Sequence, residues 1–307
     1  MLLKFAIKDF IEDREFKNLS KVTIDGYHRT IQEFHDFCVQ REVVDCSDIT
    51  ASTIKSYLLH CQKDRINNPT SINHKLHNLK IFTNYMEEIG IYNEKNNPAK
   101  KISYLKTDIK IEIFTNDQIK QMLGYYQRLK FRHQTFWAYR DYFLITTLLS
   151  TGIRLGEAIN LKWDDIDIQN QSMTVFGKKR SLRSIPITSK LIKEICEYKV
   201  FVQQQFEHKN IEFVFTNRNN EQLTVNGVKC IFKRLKTNMN FKNVRLSAHT
   251  FRHTFCSSMI KSGCDLLSLQ RMMGHANLSM LNKYYALWGT SLKSINDKHN
   301  PLNGIDL

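Results

Sequence analysis

Six side chains between residues 154 and 284 have types and spacing suited to holding an anion. Ser150-Thr151-Gly152-Ile153-Arg154-Leu155-Gly156-Glu157 sets an arginine at a loop-to-helix junction, with Glu157 one turn on to hold the guanidinium from the side. In Ala248-His249-Thr250-Phe251-Arg252-His253, positions 249 and 252 share a helix face, so a ring nitrogen and a guanidinium can converge on one acceptor. Met272-Met273-Gly274-His275 puts a histidine directly after a glycine of the kind that ends helices, and Tyr284 and Tyr285 follow. Taken singly, each has an ordinary reading: a surface ion pair, a capping histidine, a histidine complementing a helix dipole, a packed tyrosine. Taken with Lys178, the set holds two arginines, two histidines, a lysine and a tyrosine with almost no carboxylates. That donor-rich balance suits a pentavalent phosphate and does not suit divalent-metal capture.

The elements that must position these groups can be read from periodicity. Four stretches of the first 90 residues carry apolar side chains three or four apart: Leu3, Ile7, Phe10, Ile11; Ile24, Tyr27, Ile31, Phe34; Ile54, Tyr57, Leu58, Cys61; and Ile72, Leu76, Leu79, Phe82, Met86. This predicts a small four-helix unit. Around Asn96, Asn97, Pro98, Lys100 and Lys101 the periodicity stops and a polar linker is expected, which places a boundary near residue 107 and domains at 1–107 and 108–307. Thr115 to Gln118 has capping-box form and should open a helix. An apolar helix through Tyr142–Leu149 should end at Gly152, with another starting near Leu155. Ser172–Phe176 and Arg183–Ile187 flank Gly177-Lys178-Lys179-Arg180 as a β-hairpin, and helical patterns dominate from Lys190 onward. The expected class is mainly α with a small β-hairpin or sheet.

The bulk composition fits an intracellular, polyanion-binding protein. In 307 residues, 45 Lys and Arg oppose 30 Asp and Glu, for a net charge of +15. Residues 1–107 carry a net +2 and residues 108–307 the remaining +13, so the second part is the main electrostatic footprint. Seven cysteines show no C-x-x-C pair and are expected as reduced, mostly buried thiols. No membrane span or signal peptide is read, and a cytoplasmic location is expected.

The order Arg154, Lys178, His249, Arg252, His275, Tyr284 resembles the catalytic set of the tyrosine recombinase (lambda-integrase, Xer-like) family. The surrounding words TGIRLGEAINLKWDDID, GKKRSLRSIPI, SAHTFRHTF and MMGHANLS look like that family's, as do the spacings of 24, 26 and nine residues within the pairs 154/178, 249/275 and 275/284. The match is strong over about residues 112–286, while the first domain resembles the family's core-binding (SAM-like) domain in size and helix number. Met273-Gly274-His275 stands where Leu-Gly-His is common, and Tyr285-Ala286 follows the tyrosine where Thr-His or Ala-His is common. The doublet leaves Tyr285 as the second candidate nucleophile, and spacing favours Tyr284.

The resemblance implies a site-specific recombinase or integrase that cleaves and rejoins DNA strands through a 3′-phosphotyrosine. In that scheme Arg154 and Arg252 grip the nonbridging oxygens, His275 adds a donor, His249 helps take the tyrosine proton, and Lys178 protonates the leaving 5′ oxygen. Glu157 supports Arg154, while Lys179, Arg180 and Arg183 of the hairpin and Lys100 and Lys101 of the connection lie against DNA. No metal or other cofactor is implied. The implied partners are double-stranded DNA with paired sites and a homo-tetramer on DNA, from a free monomer or weak dimer; an accessory directionality protein is left open. Residues 287–307 would dock on a neighbouring protomer, the alternative being that they pack on their own domain. A silent DNA-binding regulator, such as a phage or mobile-element repressor, would explain the charge and the arginines but not Lys178 and Tyr284. A type IB topoisomerase fits the chemistry but not the compact spacings, and no RNA-binding signature is visible.

Overall fold

The computed structural model describes residues 1–107, 111–177, 182–207 and 209–274. By contact density the chain divides into two compact units, Met1–Ile109 and Lys110–Leu307. The first holds four helices: α1 (Leu3–Phe16), α2 (Lys21–Val39), α3 (Ala51–Lys63) and α4 (Pro69–Glu88). Their starts follow local chemistry. The Ser20 hydroxyl accepts from the N–H of Thr23, Thr50 and Thr53 cap α3 reciprocally, and Asn68 accepts from Ser71 N–H ahead of Pro69 in the first turn. The apolar positions read from the sequence converge inside, where the Phe10 ring meets Tyr27, Phe82 and Tyr85 edge-on at 5.4–5.8 Å between centroids.

The stretch after α4 is not the free polar linker expected from its composition. Asn97 is buried and donates its amide to Glu87 Oε2 at 2.8 Å and Asn84 Oδ1 at 3.1 Å, while Ala99 and Ile102 enter the core of the first unit. Further on, the Asn73 side chain pairs with both backbone groups of Leu105 at 2.8 Å each. A polar sequence can pack in this way because each buried amide finds an acceptor.

The second unit contains α5 (Asn116–His133), α6 (Phe136–Thr151), α7 (Leu155–Ile159), β1 (Ile166–Asp167), β2 (Ser172–Phe176), β3 (Leu182–Pro186), α8 (Ser189–Gln205), α9 (Val225–Met239), α10 (Ala248–Lys261) and α11 (Leu266–Met273). The hairpin strands form, and β1 adds a third strand the sequence reading did not contain, in an antiparallel sheet of order β1-β2-β3. The apolar α6 runs through the core: Tyr142, Phe143, Leu144, Ile145 and Leu148 are all buried, and Phe143 stacks on Tyr198 at 4.6 Å. The register sets Met173 opposite Ile185 and Val175 opposite Arg183, with Met173, Val175 and Ile185 buried. All seven cysteines are free thiols; Cys38, Cys46, Cys61 and Cys256 are buried, whereas Cys196 and Cys230 are exposed. Among the described residues no helix is long and apolar enough to cross a membrane.

Candidate active site

Backbone geometry places the first arginine. α6 stops at Gly152, whose φ of 61° an L side chain adopts poorly and where a Cβ would come within 2.4 Å of the Phe255 ring. The chain then turns so that Arg154 sits at the N-cap of α7. Its own N–H donates to Glu157 Oε2 at 2.8 Å and its Nη1 to Glu157 Oε1 at 2.9 Å. The Arg154 side chain stays 28% exposed, while that of Glu157 is only 3% exposed. Arg252 lies one helical turn from the exposed His249 on α10 and is itself buried, its Nη1 donating to the carbonyl of Gly152 at 2.6 Å.

The end of α11 gathers these groups. The last carbonyls of a helix have no partner within it and carry the negative end of its dipole. Here three in succession each accept from a different arginine: Met272 from Arg183 Nε at 3.1 Å, Met273 from Arg252 Nη2 at 2.5 Å, and Gly274 from Arg154 Nη2 at 3.1 Å. Gly274 is left-handed, with φ 59°, and a Cβ there would lie 2.6 Å from Nη1 of Arg183. The glycine before His275 therefore closes the helix and makes room for the arginine.

The fork of Arg183, a residue expected against DNA with the hairpin, closes on Glu157, Nη1 to Oε1 at 2.8 Å and Nη2 to Oε2 at 2.7 Å, with its side chain 13% exposed. Strand alternation was the signal that could have found this, since Arg183 shares a face with the buried Ile185 and Ile187. Burial alone would raise the Glu157 pKa, but hydrogen bonds from Arg183 and from the Arg154 backbone, with their charges, bring it down to about 2. Each Glu157 oxygen thus accepts two hydrogen bonds, the full capacity of a carboxylate.

One further histidine, not singled out in the sequence, lies beside the arginines. His253 is one turn after His249 on α10, its ring centroid 6.4 Å away, and its pKa is lowered by burial and then by His249 and Arg252. Lys178, Lys179, Arg180, His275 and Tyr284 lie outside the described residues, as does the segment 287–307. Lys100 and Lys101 belong to the first unit. Both are exposed, and the Lys100 ammonium pairs with Glu87 at 3.4 Å and Glu94 at 3.2 Å. Among the described residues no group of three or more His, Cys, Asp or Glu side chains is placed to hold a metal ion.

Comparison with known proteins decides the family. The model of the phage integrase family matches residues 112–288, and that of the phage integrase N-terminal SAM-like domain matches residues 7–91. The chain belongs to the phage integrase family. Among its relatives, tyrosine recombinase XerC of Leptospira interrogans (serovar copenhageni) is 25% identical over 290 residues, covering 93% of this chain and 89% of the relative. Tyrosine recombinase XerC of Anoxybacillus flavithermus is 28% identical over 288 residues, covering 92% and 93%. The fold matches that of the Tn1549 transposon integrase, solved with a circular intermediate DNA, at a TM-score of 0.79 and 21% identity over 98% of this chain and 99% of that one. These relationships make this member of the phage integrase family a site-specific tyrosine recombinase, mostly helical with a small antiparallel sheet and an N-terminal SAM-like domain.

Proposed function

We propose that this chain cleaves and rejoins double-stranded DNA at paired sites through a 3′-phosphotyrosine on Tyr284. The observation that carries this reading is the convergence of Arg154 and Arg252 on adjacent carbonyls at the end of α11, immediately before His275 in the chain. Phosphodiester cleavage needs charge neutralised on two nonbridging oxygens, a proton removed from the nucleophile and one given to the leaving alkoxide. Guanidiniums held in advance by backbone acceptors reorganise little when charge develops. An arginine also carries five donors, so anchoring contacts do not exhaust it. In this scheme the two arginines and His275 hold the phosphate, His249 helps accept the Tyr284 proton, and Lys178 protonates the 5′ oxygen. The tyrosyl oxygen forms a bond to phosphorus as the 5′ O–P bond breaks; the phosphodiester energy is kept in the adduct, and religation needs no nucleotide.

The second unit is then the catalytic domain and the first the core-binding domain, with Lys100, Lys101, Lys179 and Arg180 set against phosphates. The partner is DNA, with a tetramer assembled on two sites from monomers or weak dimers, residues 287–307 docked in trans, and a cytoplasmic location. The test uses nicked suicide substrates built from DNA flanking the gene and denaturing gels for a covalent adduct. Wild type and Tyr285→Phe should form it, and Tyr284→Phe should not while still binding the site. If Tyr285→Phe is the dead variant, the nucleophile is misassigned. Specific binding by wild type without any adduct would instead mark a regulator.

A further inference from the structure

Among the arginines at the end of α11, Arg183 has no place in the scheme above, yet it bridges three elements. Its two terminal nitrogens close on the two oxygens of Glu157, and its Nε reaches the carbonyl of Met272. It stands on β3 opposite Val175 of β2, so its backbone belongs to the hairpin that carries Lys178. Glu157 in turn holds Arg154 by side chain and by backbone. The Met272 carbonyl lies one residue before the acceptor of Arg252 and two before that of Arg154. One guanidinium therefore touches the hairpin, the Arg154 turn and the end of α11, the three elements that bear Lys178, Arg154 and the approach to His275.

We propose that Arg183 is a positioning residue for strand cleavage, which fixes the Arg154 fork by gripping Glu157 and ties the hairpin to the end of α11. The proposal rests on the phosphate-holding role given to Arg154 above. Two features separate this from ordinary packing. Gly274 leaves open the space that the Arg183 guanidinium fills, since a Cβ there would lie 3.0 Å from both its Cζ and its Cδ. The contact to Glu157 is also bidentate, a geometry that a lysine cannot reproduce.

Among the described residues, the charged groups against the Glu157 carboxylate are Arg154 from its own turn and Arg183 from β3. With Arg183 gone, burial remains and a bidentate cationic partner is lost, so the carboxyl should gain a proton on the acid side of neutrality and release Arg154.

The experiment measures single-turnover adduct formation on a nicked suicide substrate, single-site DNA binding, and the thermal transition, for wild type, Arg183→Gln, Arg183→Lys and a control, Arg234→Ala. Arg183→Gln should form adduct about a hundredfold more slowly, the loss expected of a displaced catalytic group, with site affinity nearly kept. Its rate should fall more steeply than wild type as pH drops below neutrality. Arg183→Lys, which keeps the charge without the fork, should recover the wild-type pH profile and only part of the rate. Adding Glu157→Gln to Arg183→Gln should remove the extra acid sensitivity. A wild-type rate in Arg183→Gln, an unchanged acid limb in that variant, or loss of the thermal transition in both Arg183 variants would each overturn the proposal. Absence of adduct from wild type would remove the recombinase reading itself and the proposal with it, an outcome distinct from the other three.

Discussion

Asp141 and Glu157 are both carboxylates buried between two arginines of the same unit, and their surroundings give them opposite uses. Asp141 follows Arg140 in the middle of α6. Its Oδ1 accepts from Arg140 Nε at 2.9 Å and Nη2 at 2.6 Å, and its Oδ2 from Arg234 at 2.8 Å. The Arg140 guanidinium lies over the Trp137 ring at 4.5 Å and its Nη1 ends on the carbonyl of Thr216, leaving the side chain 2% exposed. The second partner, Arg234 on α9, keeps 54% of its side chain in solvent. Around Glu157 one arginine is likewise sunk and the other partly exposed, but the exposed one stands at a helix start after a left-handed glycine and shares the carbonyls at the end of α11 with Arg252. Matching charge inventories thus tie two helices together in one place and set a donor beside a second arginine in the other. Backbone placement makes the difference.

That contrast breaks first at Arg140. Arg140→Ala leaves a buried carboxylate with a single, half-exposed partner, and unfolding by denaturant should show a loss of about 3–5 kcal/mol. Below its lowered transition the variant should form adduct at the wild-type rate; slow chemistry in the folded protein would erase the distinction. Arg154→Lys should do the reverse. Its thermal transition should stay near wild type and single-site binding should weaken little, while cleavage slows by about a hundred- to a thousandfold, the scale for losing a preorganised donor to developing charge.

The smallest effect sharpens the comparison through pH. Glu157 is depressed to about 2 from an ordinary 4.5, so its ionised state contributes stability that is complete above pH 4.5 and lost as pH falls towards 2, on the order of 3 kcal/mol. Glu157→Gln should be less stable at neutral pH, and its thermal transition should fall less than wild type's across that acid window. An equally steep fall in both would mean that other carboxylates set the acid limb.

The helices of the first unit and the arginine turn were legible because they rest on local rules: three-to-four spacing, a threonine or serine before a helix, a glycine after one. Thr115 with Gln118, and Gly152 after α6, stand as their neighbours dictate. What escaped the sequence is non-local. Arg183 reads as a basic hairpin residue until Glu157, 26 positions earlier, is brought under it. The consecutive carbonyls of Met272, Met273 and Gly274 are backbone atoms, which no pattern of side chains announces. Asn97 looked like linker because its burial depends on acceptors from α4, and β1 pairs only two residues, Ile166 with Met173 and Asp167 with Ser172, too short for an alternation to register.

The packed strap after α4 has a practical consequence for dissecting the chain. A fragment of the first unit ended at Asn96, where the polar run invites a cut, would lack Asn97, Ala99 and Ile102, exposing the apolar ground they cover and leaving Asn73 without the backbone of Leu105. Expression vectors for that half should carry the chain through at least Leu105. Fragments stopped earlier should turn up in inclusion bodies, for reasons that have nothing to do with DNA.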